Sequence, residues 1–251
     1  MSKHQVAVIG AGPAGVSVAL SLRDRGVHPL LLDRADGGAS WRSRYDALTL
    51  NTGRPFSHLP GRPYPKGTPM FPTRDQVVAH LDQHAHEDGI ELQLNTEVKR
   101  IDPGPKGWRL TTSAGGLDTR QVVFATGLED SPVIPEWPGR DGFTGEILHS
   151  SGYRNPKPYQ GKRAVVVGSG SSGMEIAYDL AVVHRNQGDS SGTTASTRLG
   201  VGGVDERAVV AEPDHDRAFV ALELGGEPLQ RRAPGQARRN TAERCGPGSR
   251  F

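Results

Sequence analysis

Four short apolar runs punctuate the first two-thirds of the chain: VAVIG (6–10), PLLLD (29–33), RQVVFATG (120–127) and RAVVVG (163–168). Each is rich in Val, Ile or Leu, lacks polar alternation and is bounded by turn residues. That pattern predicts strands of a parallel sheet buried on both faces. Between them, AGVSVALSLRDRG (14–26) and TRDQVVAHLDQHAHEDG (73–89) carry apolar residues at helical spacing and end in Gly. Both read as helices, the second with Thr73 as N-cap. A third helix is expected from Ser171 to about Leu180. IELQLNTEVKRI (90–101) and GWRLTTSAG (107–115) read as an extended pair inserted before RQVVFATG. Strands and helices in this order predict an α/β fold.

Beyond Ala181 the text changes. All six lysines precede Arg163, and residues 182–251 hold no Ile, Trp or Tyr but ten Arg and ten Gly. Only RAVVAE (207–212) and RAFVALEL (217–224) look able to form strands there, and the last stretch has the makeup of a disordered tail. The break is what a GC-rich gene read in a shifted frame would give, which the other two reading frames of the coding DNA test. The expected organisation is a unit over 1–158, the start of a second over 159–181, and an atypical, poorly ordered tail over 182–251.

Composition removes several function classes. A net charge of +2, with Arg and Lys spread along the chain, argues against nucleic acid. The single cysteine, Cys245, supplies neither an intrachain disulfide nor a CxxC pair, and no cysteine-based metal site is expected. No run of 18 apolar residues occurs, and the N-terminus enters a strand at once, so neither a membrane span nor a signal peptide is expected. The default is a cytoplasmic protein; a homodimer stays open.

VAVIGAGPAGVSVAL places Gly10, Gly12 and Gly15 directly after a strand and at a helix start. Gly10 permits the tight turn, Gly12 lets a pyrophosphate approach the backbone, and Gly15 lets the helix pack closely. The helix start, with Pro13 and Ala14, offers amides and a positive dipole end to phosphate. Asp33 ends the second strand 23 residues after Gly10, where a carboxylate accepts from an unphosphorylated ribose; Arg34 follows it. Thr126 and Gly127 end a strand that passes under a dinucleotide. Gly168, Gly170 and Gly173, with Ser171 and Ser172, repeat the arrangement, but the strand that should follow is hard to find. Arg185 or Arg198 could face a 2′-phosphate, though a surface role is the commoner one. Two nucleotide half-sites in one chain point to electron transfer from a nicotinamide to a flavin.

FTGEILHSSGYRNP (143–156) reads F-x-G-x-x-x-H-x-x-x-Y-R through Phe143, Gly145, His149, Tyr153 and Arg154. Lying between two glycine fingerprints, it resembles the signature of flavin-containing monooxygenases; Baeyer–Villiger enzymes resemble it too but carry Trp in place of Tyr153. GASWRSRYDALTLNT (38–52), Tyr64–Pro65 and MFPTRDQVVAHLDQHA (70–85) continue the likeness in order over about residues 4–181. The passage 145–181 is most similar to bacterial members and the plant YUCCA-type branch. The resemblance implies a Rossmann-like FAD domain with Gly10, Gly12, Gly15 and Asp33, and an incomplete NADPH domain with Gly168, Gly170 and Gly173. It implies Asn51 as the catalytic amide beside a C4a-hydroperoxyflavin, and Trp41 near the flavin, core packing being its commoner role. His149 is expected to shape the link between domains. O2 and a small nucleophilic or 2-oxo-acid molecule are the implied substrates. The alternatives are an inactive flavin-binding remnant and another NAD(P)H-dependent flavin reductase, since family members continue well past the second fingerprint.

Overall fold

The computed structural model describes residues 4–128, 131–137, 139–160, 162–168, 170–186 and 219–223. A six-stranded sheet runs β3-β2-β1-β6-β5-β4, with β1 His4–Ile9, β2 Pro29–Leu32, β3 Glu91–Gln93, β4 Val98–Gly104, β5 Gly107–Thr112 and β6 Gly115–Phe124. β3, β2, β1 and β6 are parallel, and β4–β5 form the expected antiparallel pair. β6 serves both parts. Its first half pairs antiparallel with β5, Trp108 opposite Thr119 to Thr112 opposite Gly115; its second half runs parallel to β1 as far as Phe124 opposite Ile9.

β2 and the Val6–Ile9 part of β1 are apolar because both of their faces are covered. Val6, Val8 and Leu31 face one core with Val16, Ala19 and Leu20 of α1 (Pro13–Arg23), and Val77 and Leu81 of α4 (Arg74–Ala85). Ala7, Leu30 and Leu32 face another, closed by Leu110 of the β4–β5 ribbon. Each of those leucines is fully buried and stabilises the fold by roughly 1.5–3 kcal/mol. Thr73 caps α4 as expected: its hydroxyl accepts from the Gln76 amide while the Gln76 side chain accepts from the Thr73 amide. Two short helices, α2 (Ala39–Arg42) and α3 (Arg54–Ser57), lie in the segment between β2 and α4.

A second unit begins with β7 (Glu146–His149) and continues through β8 (Arg163–Val167) and α5 (Ser171–Asn186). α5 runs to Asn186 rather than to Leu180, because no Gly or Pro interrupts the chain before Gly188. The strand beside β8 is β9 (Phe219–Glu223), from the stretch read as RAFVALEL. It lies between β7 and β8 and is antiparallel to both, Arg163 opposite Glu223 and Glu146 opposite Leu222. A βαβ crossover would have put a parallel strand there. RAVVAE and the remainder of the tail lie outside the described residues.

The two fingerprint helices differ in what covers them. Val16 and Leu20 of α1 are fully buried, whereas Met174 and Tyr178, the residues in register with them on α5, are 61% and 72% exposed. With Val182 they form an apolar stripe spaced i, i+4, i+8, the face a helix normally buries. Urea unfolding reads the difference. Leu20→Ala should cost about 2–5 kcal/mol, and Tyr178→Ala no more than about 0.5 kcal/mol. Equal losses would mean that the stripe is covered.

Candidate dinucleotide-binding sites

The turn from β1 into α1 is closed by main-chain contacts that leave no space for side chains. Gly10 sits at φ +108°, and a Cβ there would overlap the Ala125 carbonyl. A Cβ on Gly15 would overlap the carbonyl oxygen of Gly10, so α1 meets the loop at a distance only glycine allows. Gly12 is different: a Cβ there meets nothing within 4 Å. It is the N-cap of α1, which no side chain caps and which has Pro at its start. An uncapped helix N-terminus leaves backbone amides without side-chain partners, the kind of group that binds phosphate.

Asp33 stands where expected but already has partners. Its Oδ2 accepts from the Ala11 amide at 2.7 Å and its Oδ1 from the Ala35 amide at 3.0 Å. The carboxylate thus clamps the glycine loop to the end of β2, and each oxygen keeps a lone pair for a ribose hydroxyl. Pro13, Ala14 and Arg34 are exposed at the rim. Thr126 and Gly127 are also exposed, just past the point where the Ala125 amide donates to the Ile9 carbonyl. Trp41 is partly buried against the first core, the packing role.

The second loop repeats the first in its backbone. Gly168 has φ +122° beside +108° at Gly10. Met174 donates its amide to the Gly170 carbonyl at 3.1 Å, as Val16 does to Gly12 at 3.0 Å. Gly173 is buried like Gly15, and Ser171 and Ser172 open α5. The side chain of Arg185, and all of Arg198, lie outside the described residues.

A cluster of tyrosines joins the two units. Tyr45, Tyr153 and Tyr159 pack with Val166, Ile176, Ala177 and Leu180. Tyr153, fully buried, donates to Asp179 of α5 at 2.8 Å and stacks on Tyr159 at 5.6 Å. Burial first, then the Asp179 hydrogen bond, raises its pKa and keeps it a donor. Arg154 donates to the carbonyls of Arg42 and Arg44 at 2.8 and 2.6 Å, and Asn155 donates to Asp46. His149 caps its own turn, accepting from the Ser151 amide at 3.1 Å. Periodicity alone does not reveal this joint; the signature motif marked it, and Tyr45, Glu175 and Asp179 went unmarked.

Asn51 lies on a strap held on both sides by main-chain bonds. The Leu50 amide donates to the Pro72 carbonyl at 2.8 Å and the Arg54 amide to the Met70 carbonyl at 2.7 Å. Asn51 itself is exposed, and so are its apolar neighbours on the strap and its partner segment, Phe56, Met70 and Phe71.

Away from both loops, a cavity of about 310 Å³ is lined by Tyr64, Lys66, Thr68, Gln76 and His80. The buried His80 ring stacks on Tyr64 at 4.2 Å and meets His84 edge-on at 4.6 Å. Its pKa is pushed down to about 4, chiefly by burial and then by His84 and His58, with the Arg62 backbone opposing. His84 is lowered too, by burial and by Arg62.

A strand–glycine loop–helix unit present twice defines a doubled dinucleotide-binding protein of the α/β class. Residues 7–186 match the family described as pyridine nucleotide-disulphide oxidoreductase, and the chain belongs to it. The chain is 41% identical over 192 residues to indole-3-pyruvate monooxygenase YUCCA4 of Oryza sativa subsp. japonica, covering 69% of this chain and 44% of that protein. Among solved structures it is similar to the flavin-containing monooxygenase of Stenotrophomonas maltophilia, with 31% identity, a TM-score of 0.66, and coverage of 73% of this chain and 56% of that one. A steroid monooxygenase bound to NADP matches with 25% identity and a TM-score of 0.57, covering 71% of this chain and 37% of that chain. The likeness to flavin-containing monooxygenases read from the motifs holds. The chain spans about half the length of the curated relatives it matches. No helix among the described residues is long and apolar enough to cross a membrane.

The histidine pair gives a pH prediction. A His whose folded pKa lies below its unfolded value of about 6.5 takes up its proton later in the native state. Stability is therefore full above about pH 6.5 and falls as pH drops towards 4, by on the order of 2 kcal/mol. Urea midpoints should follow that window in the native chain and flatten in His80→Phe, which keeps the stack. The same slope in both would remove His80 as the cause.

Proposed function

We propose that the chain binds FAD at the Gly10–Gly15 loop and NADPH at the Gly168–Gly173 loop, as the nucleotide-binding part of a monooxygenase. The observation that carries this reading is the repeated backbone geometry of the two loops, each a positive-φ glycine followed by an N-terminal helix turn. The donor set fits FAD: an uncapped α1 terminus and open space at Gly12 suit its pyrophosphate, and Asp33 suits its ribose. FAD, when bound, supplies the redox and oxygen chemistry. The residues of the chain bind and orient it. Pro13, Ala14, Arg34, Thr126 and Gly127 rim its site, Trp41 backs it, and Ser171 and Ser172 offer hydroxyls at the second loop. Asn51, with an amide that donates and accepts, is the residue this reading assigns to hydrogen-bond the reacting group. Exposed Phe56, Met70 and Phe71 offer an apolar wall that excludes water. O2 and a small nucleophilic or 2-oxo-acid molecule are the substrates of this reading.

A second reading has an observation of its own. The bare stripe on α5 and the antiparallel β9 favour a flavin-binding protein whose nicotinamide half is not completed by the described residues. Adding NADPH to the purified flavoprotein without oxygen separates the two. Bleaching of the flavin absorbance supports the monooxygenase reading, and persistent bands support the remnant. In a chain that bleaches, Asn51→Ala should keep FAD while NADPH consumption uncouples from product and yields peroxide. Unchanged coupling would take Asn51 out of the mechanism.

A further inference from the structure

We infer that Tyr45 is a positioning residue for the second glycine loop, acting through a latch between its phenol and Glu175. The inference rests on the reading of Gly168–Gly173 as the nicotinamide nucleotide loop.

A loop of glycines has no side chains with which to fix itself. The first loop is clamped from outside by the Asp33 carboxylate on the Ala11 amide. Among the described residues, Tyr45 reaches the second loop from outside in a comparable way. It is 4% exposed, and its hydroxyl donates to Glu175 Oε2 at 2.7 Å. Ser172 also hydrogen-bonds the phenol. Ser172 and Glu175 flank Gly173 in the first turns of α5, so the latch closes around the last glycine of the fingerprint. Burial, and next the Glu175 hydrogen bond, raises the Tyr45 pKa, so the donor persists at any physiological pH.

The other end of the latch is rigid. Arg154 donates to the carbonyls of Arg42 and Arg44, and the Asp46 amide donates to the Arg154 carbonyl at 2.8 Å. Trp41, four residues before Tyr45, packs on the first core while Tyr45 packs in the second. One short segment therefore touches the core under the first loop and grips the helix behind the second.

The test compares Tyr45→Phe, which keeps the ring, with Glu175→Ala, which removes the acceptor, and Glu175→Gln, which keeps one. Amide hydrogen exchange is read at Ser172–Glu175 and at the first turn of α1, without nucleotide, and NADPH affinity is read by titration of the flavoprotein. Tyr45→Phe and Glu175→Ala should each speed exchange at α5 alone and weaken NADPH about 5- to 10-fold, the size of one hydrogen bond. The pair together should be no worse than either, and Glu175→Gln should restore most of both. Unchanged exchange in Tyr45→Phe, equal acceleration at α1, or faster exchange with undiminished NADPH affinity would each overturn the inference. If the native chain binds no NADPH, the reading of the second loop fails, and exchange alone decides whether Tyr45 fixes it.

Discussion

The architecture depends on one close approach, the helix α1 against the turn that leaves β1. With no Cβ at Gly15, α1 comes down onto the Gly10 carbonyl. That contact sets the helix axis relative to the sheet and seats Val16 and Leu20 in the core, with open space left beside Gly12 at the start of α1. Binding geometry and folding geometry are thus the same constraint. Asp33 reinforces it by tying the loop to the end of the neighbouring strand.

The segment between β2 and α4 carries this constraint towards the second unit. Its side chains alternate in allegiance, Trp41 to one core and Tyr45 to the other. The signature around Phe143–Arg154 then has a mechanical role: Tyr153 is the buried pin into α5, Arg154 ties back the Arg42–Arg44 backbone, and His149 shapes the turn between them. Nothing in that arrangement requires His149 to transfer a proton.

Much of this was legible in the chain. Continuous apolar runs marked β1, β2, the end of β6 and β8; in β2 and most of β1 both faces are covered and need no polar alternation, whereas Phe124 of β6 and Val165 of β8 are exposed. Thr73 marked the start of α4. Three features were not legible. The length of α5 depends on the absence of a breaker before Gly188 rather than on any stop signal. The double service of β6 arises from the ribbon folding back over Leu30 and Leu32, a tertiary effect. The Tyr45–Glu175 bond spans 130 positions, beyond any local pattern. Spacing put Asp33 at the end of β2, but only the structure shows its carboxylate holding the glycine loop itself.

The central claim is that the open space at Gly12 is the seat of the FAD pyrophosphate. FAD titration, followed by the change in flavin fluorescence, tests it in the native chain and in Gly12→Val, with thermal unfolding of each without FAD. The account predicts one FAD per native chain, loss of that binding in Gly12→Val, and an unfolding temperature little changed, since nothing lies within 4 Å of the added side chain's first carbon. Undiminished FAD binding in Gly12→Val would contradict it.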